Sequence, residues 1–134
     1  NAKDGYALQL AVKKGYNVAI ITGGKSMAVK QRLESLGIKD IWIGASSKIE
    51  ALEELISMRN IKLENIAYMG DDIPDYEILC KVGLSTCPKD AAPEIRSISK
   101  YISDKNGGNG CARDLIEQVL KIHGNWMHKE DRKW

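Results

Sequence analysis

The chain has 134 residues, of which 43% are hydrophobic and 28% charged, with a formal net charge of +2. That is enough chain for one domain with its own core, and the balance is ordinary for a globular protein. The small net charge offers no basic face for nucleic acid or an anionic membrane surface. The apolar runs are far too short to cross a bilayer, and nothing at the start reads as a secretory leader.

Residues 4–14 place Tyr6, Ala7, Leu10 and Ala11 at helical spacing, and Gly15 ends the helix. Residues 17–22 are a short apolar run between turn residues, which predicts a buried strand. An amphipathic helix is expected over 25–36, closed by Gly37, and a strand over 40–43. A third helix is expected over 46–59, with Ser46 or Ser47 as N-cap and Glu50 near the capping-box position. A strand at 65–69 leads to a helix at 75–82 that Gly83 closes, and a strand at 84–87 stops at Pro88. A short helix at 92–99, a short strand at 101–103, a flexible loop at 107–110 and a last helix at 111–123 complete the pattern. Strands alternate with helices throughout, so the fold class is α/β, a mainly parallel sheet with helices on both faces. One domain over 1–123 and a polar tail over 124–134 follow from the absence of any linker. The tail reads as frayed, with docking of Trp126 and Trp134 on a partner surface as the alternative. The three cysteines, Cys80, Cys87 and Cys111, have no metal-type spacing and read as reduced thiols of a cytoplasmic protein. Cys80 falls on an apolar helix face and is expected in the core.

The most informative stretch is Gly70-Asp71-Asp72-Ile73-Pro74-Asp75. It gathers three carboxylates where a strand ends and a helix begins, the edge at which open α/β sheets bind ligands. Clustered carboxylates repel, and a fold that concentrates them there recruits a hard cation such as Mg²⁺. The alternative is an acidic N-cap, with Asp75 opening the helix. Thr22 ends the first strand and precedes Gly23-Gly24-Lys25-Ser26. A hydroxyl, backbone amides, a helix start and a Lys converging there suit a phosphate, although an ordinary glycine-rich turn has the same composition. Lys48 lies just inside the third helix, near the positive end of its dipole, where a cation is slightly unfavourable unless an anion faces it.

Thr22, Lys48 and Asp71-Asp72, in this order at strand ends and a helix start, resemble motifs two, three and four of the haloacid-dehalogenase-like phosphatases. Asp4-Gly5, Ile21-Thr22-Gly23, Ala91-Ala92-Pro93-Glu94-Ile95 and Gly107-Gly108-Asn109-Gly110-Cys111-Ala112-Arg113 extend the resemblance to the 3-deoxy-D-manno-octulosonate 8-phosphate phosphatases over almost the whole chain. That resemblance implies a capless, Rossmann-like domain, Mg²⁺ as cofactor and a homotetramer. It implies a nucleophilic Asp that becomes an aspartyl-phosphate, and Asp71 as a metal ligand. Thr22, Gly23, Gly24 and Lys48 would bind the phosphoryl group, with Lys48, Thr22 and Asp72 serving catalysis. Asp72 and Asp75 would orient metal-bound waters and Lys48, and Lys25 and Arg113 would meet the carboxylate of the sugar acid. For Arg113, a solvated place on the last helix is an equal alternative.

The departure from the pattern is the Asp-x-Asp-Gly of motif one, since no Asp-x-Asp occurs in the sequence. The chain opens at Asn1-Ala2 with a helix and no strand before it, so the expectation is an upstream segment that carries the central strand, the nucleophile and a following β-hairpin. Without it, the strands at 17–22 and 65–69 should flank an open slot in the sheet, or close it by pairing directly. Two other functions compete: a phosphatase for a related nine-carbon sugar-acid phosphate, and a non-catalytic oligomerisation module without a nucleophile. A receiver-type phosphoacceptor fits poorly, because its acidic pair comes early and its Lys late.

Overall fold

The computed structural model describes residues 2–132. Helix α1 (Ala2–Lys13) buries Gly5, Ala7, Leu10 and Ala11, the face its spacing predicts, and packs along α6 (Cys111–Ile122). Strand β1 (Ala19–Ile21) and helix α2 (Met27–Ser35) follow. Helix α2 starts two residues later than expected because the Ser26 side chain accepts the Val29 amide and takes the N-cap, which leaves Lys25 in the preceding turn. The predicted amphipathic face of α2 buries nothing among the described residues, and Met27 and Val29 are exposed.

Strand β2 (Asp40–Trp42) leads to α3 (Lys48–Arg59), whose N-cap is Ser47, accepting from the Glu50 amide. Arg59 at the end of α3 reaches back to buried Asp40, with Nε 3.0 Å from Oδ2 and Nη2 2.7 Å from Oδ1. This two-point pairing ties the far end of α3 to the start of β2. Strand β3 (Ala67–Met69), helix α4 (Tyr76–Lys81), strand β4 (Leu84–Cys87), helix α5 (Pro93–Ile98) and strand β5 (Tyr101–Ile102) complete the α/β pattern. Cys80 is exposed rather than in the core, because α4 is only six residues long and turns Ile78 and Leu79 inward.

The strands are all parallel but form two sheets, β1-β2 and β3-β4-β5. Strands β1 and β3 do not pair with each other, so the slot expected between them stays open. Its flanks are apolar yet incompletely covered: Ala19, Ile20 and Ile21 are half-buried and Ala67 is exposed. Water reaches these edges, which moderates the cost of leaving their polar groups unpaired. What bridges the two sheets is a shared layer of side chains. Leu52 and Leu55 of α3 form a buried cluster with Ile78 and Val82, and this cluster packs on Ala19 and Ile21 of one sheet and on Tyr68 of the other.

The tail does not fray over its described part. The Tyr6 hydroxyl donates to the Asp131 carbonyl, and Lys14 Nζ lies 2.9 Å from the buried Asp131 carboxylate. Trp126 lies against Arg113 of α6, and Trp134 falls outside the described residues.

Candidate active site

The carboxylates at 71–75 divide into two tasks. The Gly70 amide continues the ladder onto the Thr86 carbonyl, and the chain then turns through a single 3₁₀ turn (Ile73–Asp75). Asp72 accepts the Ile73 amide at 2.8 Å, while Asp75 Oδ2 accepts the amides of Asp71 and Asp72 at 3.0 and 3.4 Å. Asp72 and Asp75 thus form a reciprocal capping box, with Pro74 in its first turn. Asp72, rather than Asp75, supplies the acidic cap. Asp71 contributes only its amide to the turn, so its carboxylate is free to face outward into the cavity it lines.

Asp75 is the hub of the site and only 2% exposed. Its Oδ1 accepts a hydrogen bond from Lys48 Nζ at 2.9 Å and another from the Tyr68 hydroxyl at 2.7 Å. Burial alone would raise its carboxyl, but the bonds from Tyr68, Lys48 and the Asp71 amide outweigh that and hold it below the usual carboxylate value. Burial and the bond to Asp75 push the Tyr68 phenol far above its ordinary value, so it stays a donor. Asp71 moves the other way. Partial desolvation and the Asp75 carboxylate raise it, and Lys48 offsets only part of this.

These groups line a cavity of about 250 Å³ that opens between Ile21 of β1 and Tyr68 to Gly70 of β3. Its far wall is Gly107, Gly108 and Cys111. Two contacts fix that wall. The Gly107 amide donates to Asp90 Oδ1 at 2.8 Å, and Asp4 of α1 accepts the Arg113 amide at 2.9 Å, capping α6 from across the chain. Burial, with the Asp4 carboxylate nearby, raises the Cys111 thiol above its ordinary value, which suits a packed thiol and not a nucleophile.

The turn after β1 is zipped to the loop that delivers Lys48. The Thr22 carbonyl accepts from the Ala45 amide, and the Gly24 carbonyl from the Gly44 amide. Thr22 Oγ1 accepts the Gly24 amide at 3.1 Å. That contact spends the Gly24 amide internally, whereas a hydroxyl used as acceptor still has its proton to donate. Lys25 is exposed and its stem lies over Gly44, where an added Cβ would stand 3.2 Å from Lys25 Cγ. Thr22, Gly23, Gly24, Lys25 and Asp72 are not among the cavity's lining residues, whereas Lys48, Asp71 and Asp75 are. Arg113 does not line it either. Its guanidinium sits between the rings of Tyr6 and Trp126, 5.8 and 5.7 Å from their centroids, and pairs with Glu117. The role expected for it at the sugar-acid carboxylate has no support in that placement.

The strand ends, the Lys and the acidic turn match a single family. The model for haloacid dehalogenase-like hydrolases covers residues 39–115, more than half of the chain. The chain belongs to the haloacid dehalogenase-like hydrolases. Within that family it is 37% identical over 124 residues to the 3-deoxy-D-manno-octulosonate 8-phosphate phosphatase of Salmonella typhi, an alignment that takes in 92% of this chain and 66% of the relative. It therefore spans just under two thirds of the length of that protein. Among solved structures, the corresponding phosphatase of Yersinia pestis superposes with a TM-score of 0.91 at 32% identity, covering 93% of this chain and 68% of that one. The Moraxella catarrhalis phosphatase, solved with magnesium, phosphate and the KDO molecule, superposes with a TM-score of 0.89 at 37% identity, covering 93% and 72%.

As a haloacid dehalogenase-like domain, the chain has donors that fit a hard cation in part. Asp71 is an oxygen ligand at an open cavity edge, in a place where negative charge is already in excess. Among the described residues no three His, Cys, Asp or Glu side chains converge on one point. That arrangement suits Mg²⁺, which binds through one or two carboxylates and fills its other positions with water and phosphate oxygens.

Two features of the site escaped the sequence reading. Tyr68 is visible as the one aromatic in an aliphatic strand, two residues before the acidic turn, and its contact with Asp75 could have been suspected from that. The Asp90 and Asp4 contacts that fix the glycine-rich wall join residues 17 and 109 positions apart and leave no local signal.

Gly70 is a further test of how tightly this turn is built. A Cβ at Gly70 would stand 2.6 Å from Asp75 Cγ and 2.9 Å from Oδ2. Gly70→Ala should therefore displace the hub carboxylate and cost about 3 kcal/mol, as overpacking of a tight site does. Urea titration checks this, and a loss under ~0.5 kcal/mol would show that the turn can shift.

Proposed function

We propose that the protein is a Mg²⁺-dependent phosphatase that hydrolyses 3-deoxy-D-manno-octulosonate 8-phosphate to the free sugar acid and phosphate, in lipopolysaccharide precursor synthesis in the cytoplasm. The observation that carries this reading is one juxtaposition. The Lys48 ammonium and the Asp71 carboxylate share a cavity at the strand ends and are oriented by one buried carboxylate, Asp75. The substrate follows from the relatives, whose names state it.

In this reading the phosphoryl group lies at the cavity mouth, between Lys48 and the turn that Thr22 begins. Lys48 balances the charge that grows on the phosphoryl oxygens during transfer. Thr22 donates its hydroxyl proton to one of those oxygens, and the Gly23 amide to another. Mg²⁺, with Asp71 among its ligands, neutralises charge between nucleophile and phosphate. The nucleophile is a carboxylate presented between β1 and β3, where the open strand edges leave room for an extended segment, and its attack gives an aspartyl-phosphate that water hydrolyses. Asp72 holds the turn that aims Asp71 and can orient metal-bound water. Lys25, exposed at the mouth, is the better placed of the two cations for the sugar-acid carboxylate. A homotetramer is the assembly expected from the resemblance.

A panel of sugar-acid phosphates tests the substrate with the full-length protein. The eight-carbon 8-phosphate should be turned over with a kcat/KM at least about tenfold above that of a nine-carbon acid phosphate, the discrimination that a few hydrogen bonds give. A reversed preference would assign the nine-carbon substrate. No phosphate release from any member would favour the non-catalytic module.

A further inference from the structure

We infer that Tyr68 is a positioning residue that keeps the Lys48 ammonium available to the substrate's phosphoryl group by sharing its counter-ion. The inference rests on the phosphatase reading of the site and adds to it a residue with a defined task. Asp75 Oδ1 faces two donors, Lys48 Nζ at 2.9 Å and the Tyr68 hydroxyl at 2.7 Å, while Oδ2 faces the amides of Asp71 and Asp72. The carboxylate is therefore saturated, and Lys48 holds only a share of one oxygen. An ammonium carries three donors, and Lys48 is 21% exposed at its side chain on a cavity wall, so the others are open to an anion.

The geometry of Tyr68 fits this task and no generic packing role explains it. The ring packs on the α3–α4 cluster and on the cluster around Leu79 and Cys87, which fixes its position. Its backbone is fixed as well, since Tyr68 pairs with Ser85 and its carbonyl accepts from the Thr86 hydroxyl. A ring held on two sides delivers its hydroxyl to one point, and that point is the oxygen bound by Lys48. The phenol is held far above its ordinary value by burial and by Asp75, so it donates at any working pH. With the hydroxyl removed, Asp75 Oδ1 concentrates its charge on Lys48 alone. The ammonium is then drawn toward the protein and away from the phosphoryl oxygens.

The test compares wild type, Tyr68→Phe, Lys48→Met and the double variant in the full-length protein. Two quantities are read: kcat and KM for the sugar-acid phosphate, and the affinity for inorganic phosphate in Mg²⁺ by calorimetry. Tyr68→Phe should lower kcat about tenfold with KM within about twofold, the rate equivalent of one hydrogen bond to a charged group. It should weaken phosphate binding severalfold in the Lys48 background and not at all in the Lys48→Met background. A kcat and phosphate affinity equal to wild type, or an equal loss in both backgrounds, would overturn the role and leave the phosphatase reading standing. A wild type that neither binds phosphate nor turns over would overturn both. If Tyr68→Phe does not fold, 3-fluorotyrosine at position 68 keeps the ring and makes the hydroxyl a stronger donor. A change in phosphate affinity of about twofold or more then supports the role, and no change overturns it.

Discussion

Asp75→Ala should lower folding stability by about 3 kcal/mol, the scale set by breaking a buried ion pair through loss of one partner. The variant strands three kinds of donor at once: the Lys48 ammonium, the Tyr68 hydroxyl, and the amides of Asp71 and Asp72. The residue has almost no contact with solvent, so water cannot take the place of the carboxylate. Lys48 is partly exposed, which keeps the expected loss at the lower end of the range for buried pairs. The pH dependence has a definite sign. The folded-state value of Asp75 lies below the unfolded one, so its stabilisation is complete above about pH 4 and is lost as pH falls through the folded value. The gap between wild type and Asp75→Ala should therefore be widest at neutral pH and shrink on acidification. Urea titrations at neutral and acid pH measure it, and a gap that grows toward low pH would contradict the role given to Asp75.

Asp71→Asn should do the reverse, sparing the fold and removing most of the activity. The Asp71 carboxylate has no structural task in the turn, which uses only its amide. Its carboxyl is held above the ordinary value, so the folded state disfavours its charged form. That penalty is absent below the unfolded value and sets in as pH rises through it. The Asn variant escapes it, so at neutral pH without metal it should be as stable as wild type or slightly more so. Turnover should fall by about a hundredfold or more, the scale of losing a group that fixes transition-state charge. The rise in melting temperature that Mg²⁺ gives the wild type should vanish as well. Near-normal Mg²⁺-dependent turnover in Asp71→Asn would refute its assignment as a metal ligand.

The sequence made the layered α/β pattern legible because each element has its own punctuation. Glycines follow α1 and α4, Ser47 caps α3, and the apolar runs at 19–21, 67–69 and 84–87 are too short for helices. The acidic turn was legible for the same reason, as a local motif behind a strand. What the pattern could not divide was the labour inside that turn. Three aspartates look alike in sequence, and only the fold makes Asp72 a cap, Asp75 a buried hub and Asp71 a free ligand. Two further misreadings share a cause. Cys80 was assigned to an apolar face and Arg113 to a substrate, but the direction of each side chain depends on what packs nearby. For Cys80 the length of α4 decides, and for Arg113 the return of Trp126 over α6. The tail itself is polar, and its docking rests on Tyr6 and Lys14, more than a hundred residues away in the chain.

The open edges of β1 and β3 connect fold and function most directly. Two parallel sheets held together only by the α3–α4 side-chain layer leave a strand-wide interruption beside the cavity. Lys48 and Asp71 stand at its mouth, where a carboxylate on an inserted segment would meet both.

The most direct measurement is inorganic phosphate release from 3-deoxy-D-manno-octulosonate 8-phosphate by the full-length protein, with Mg²⁺ and again with excess chelator. Mg²⁺-dependent release that chelator abolishes, and that Asp71→Asn reduces by about a hundredfold or more, is the predicted result. Release that ignores both the metal and Asp71, or no release at all from a folded protein, would contradict the account.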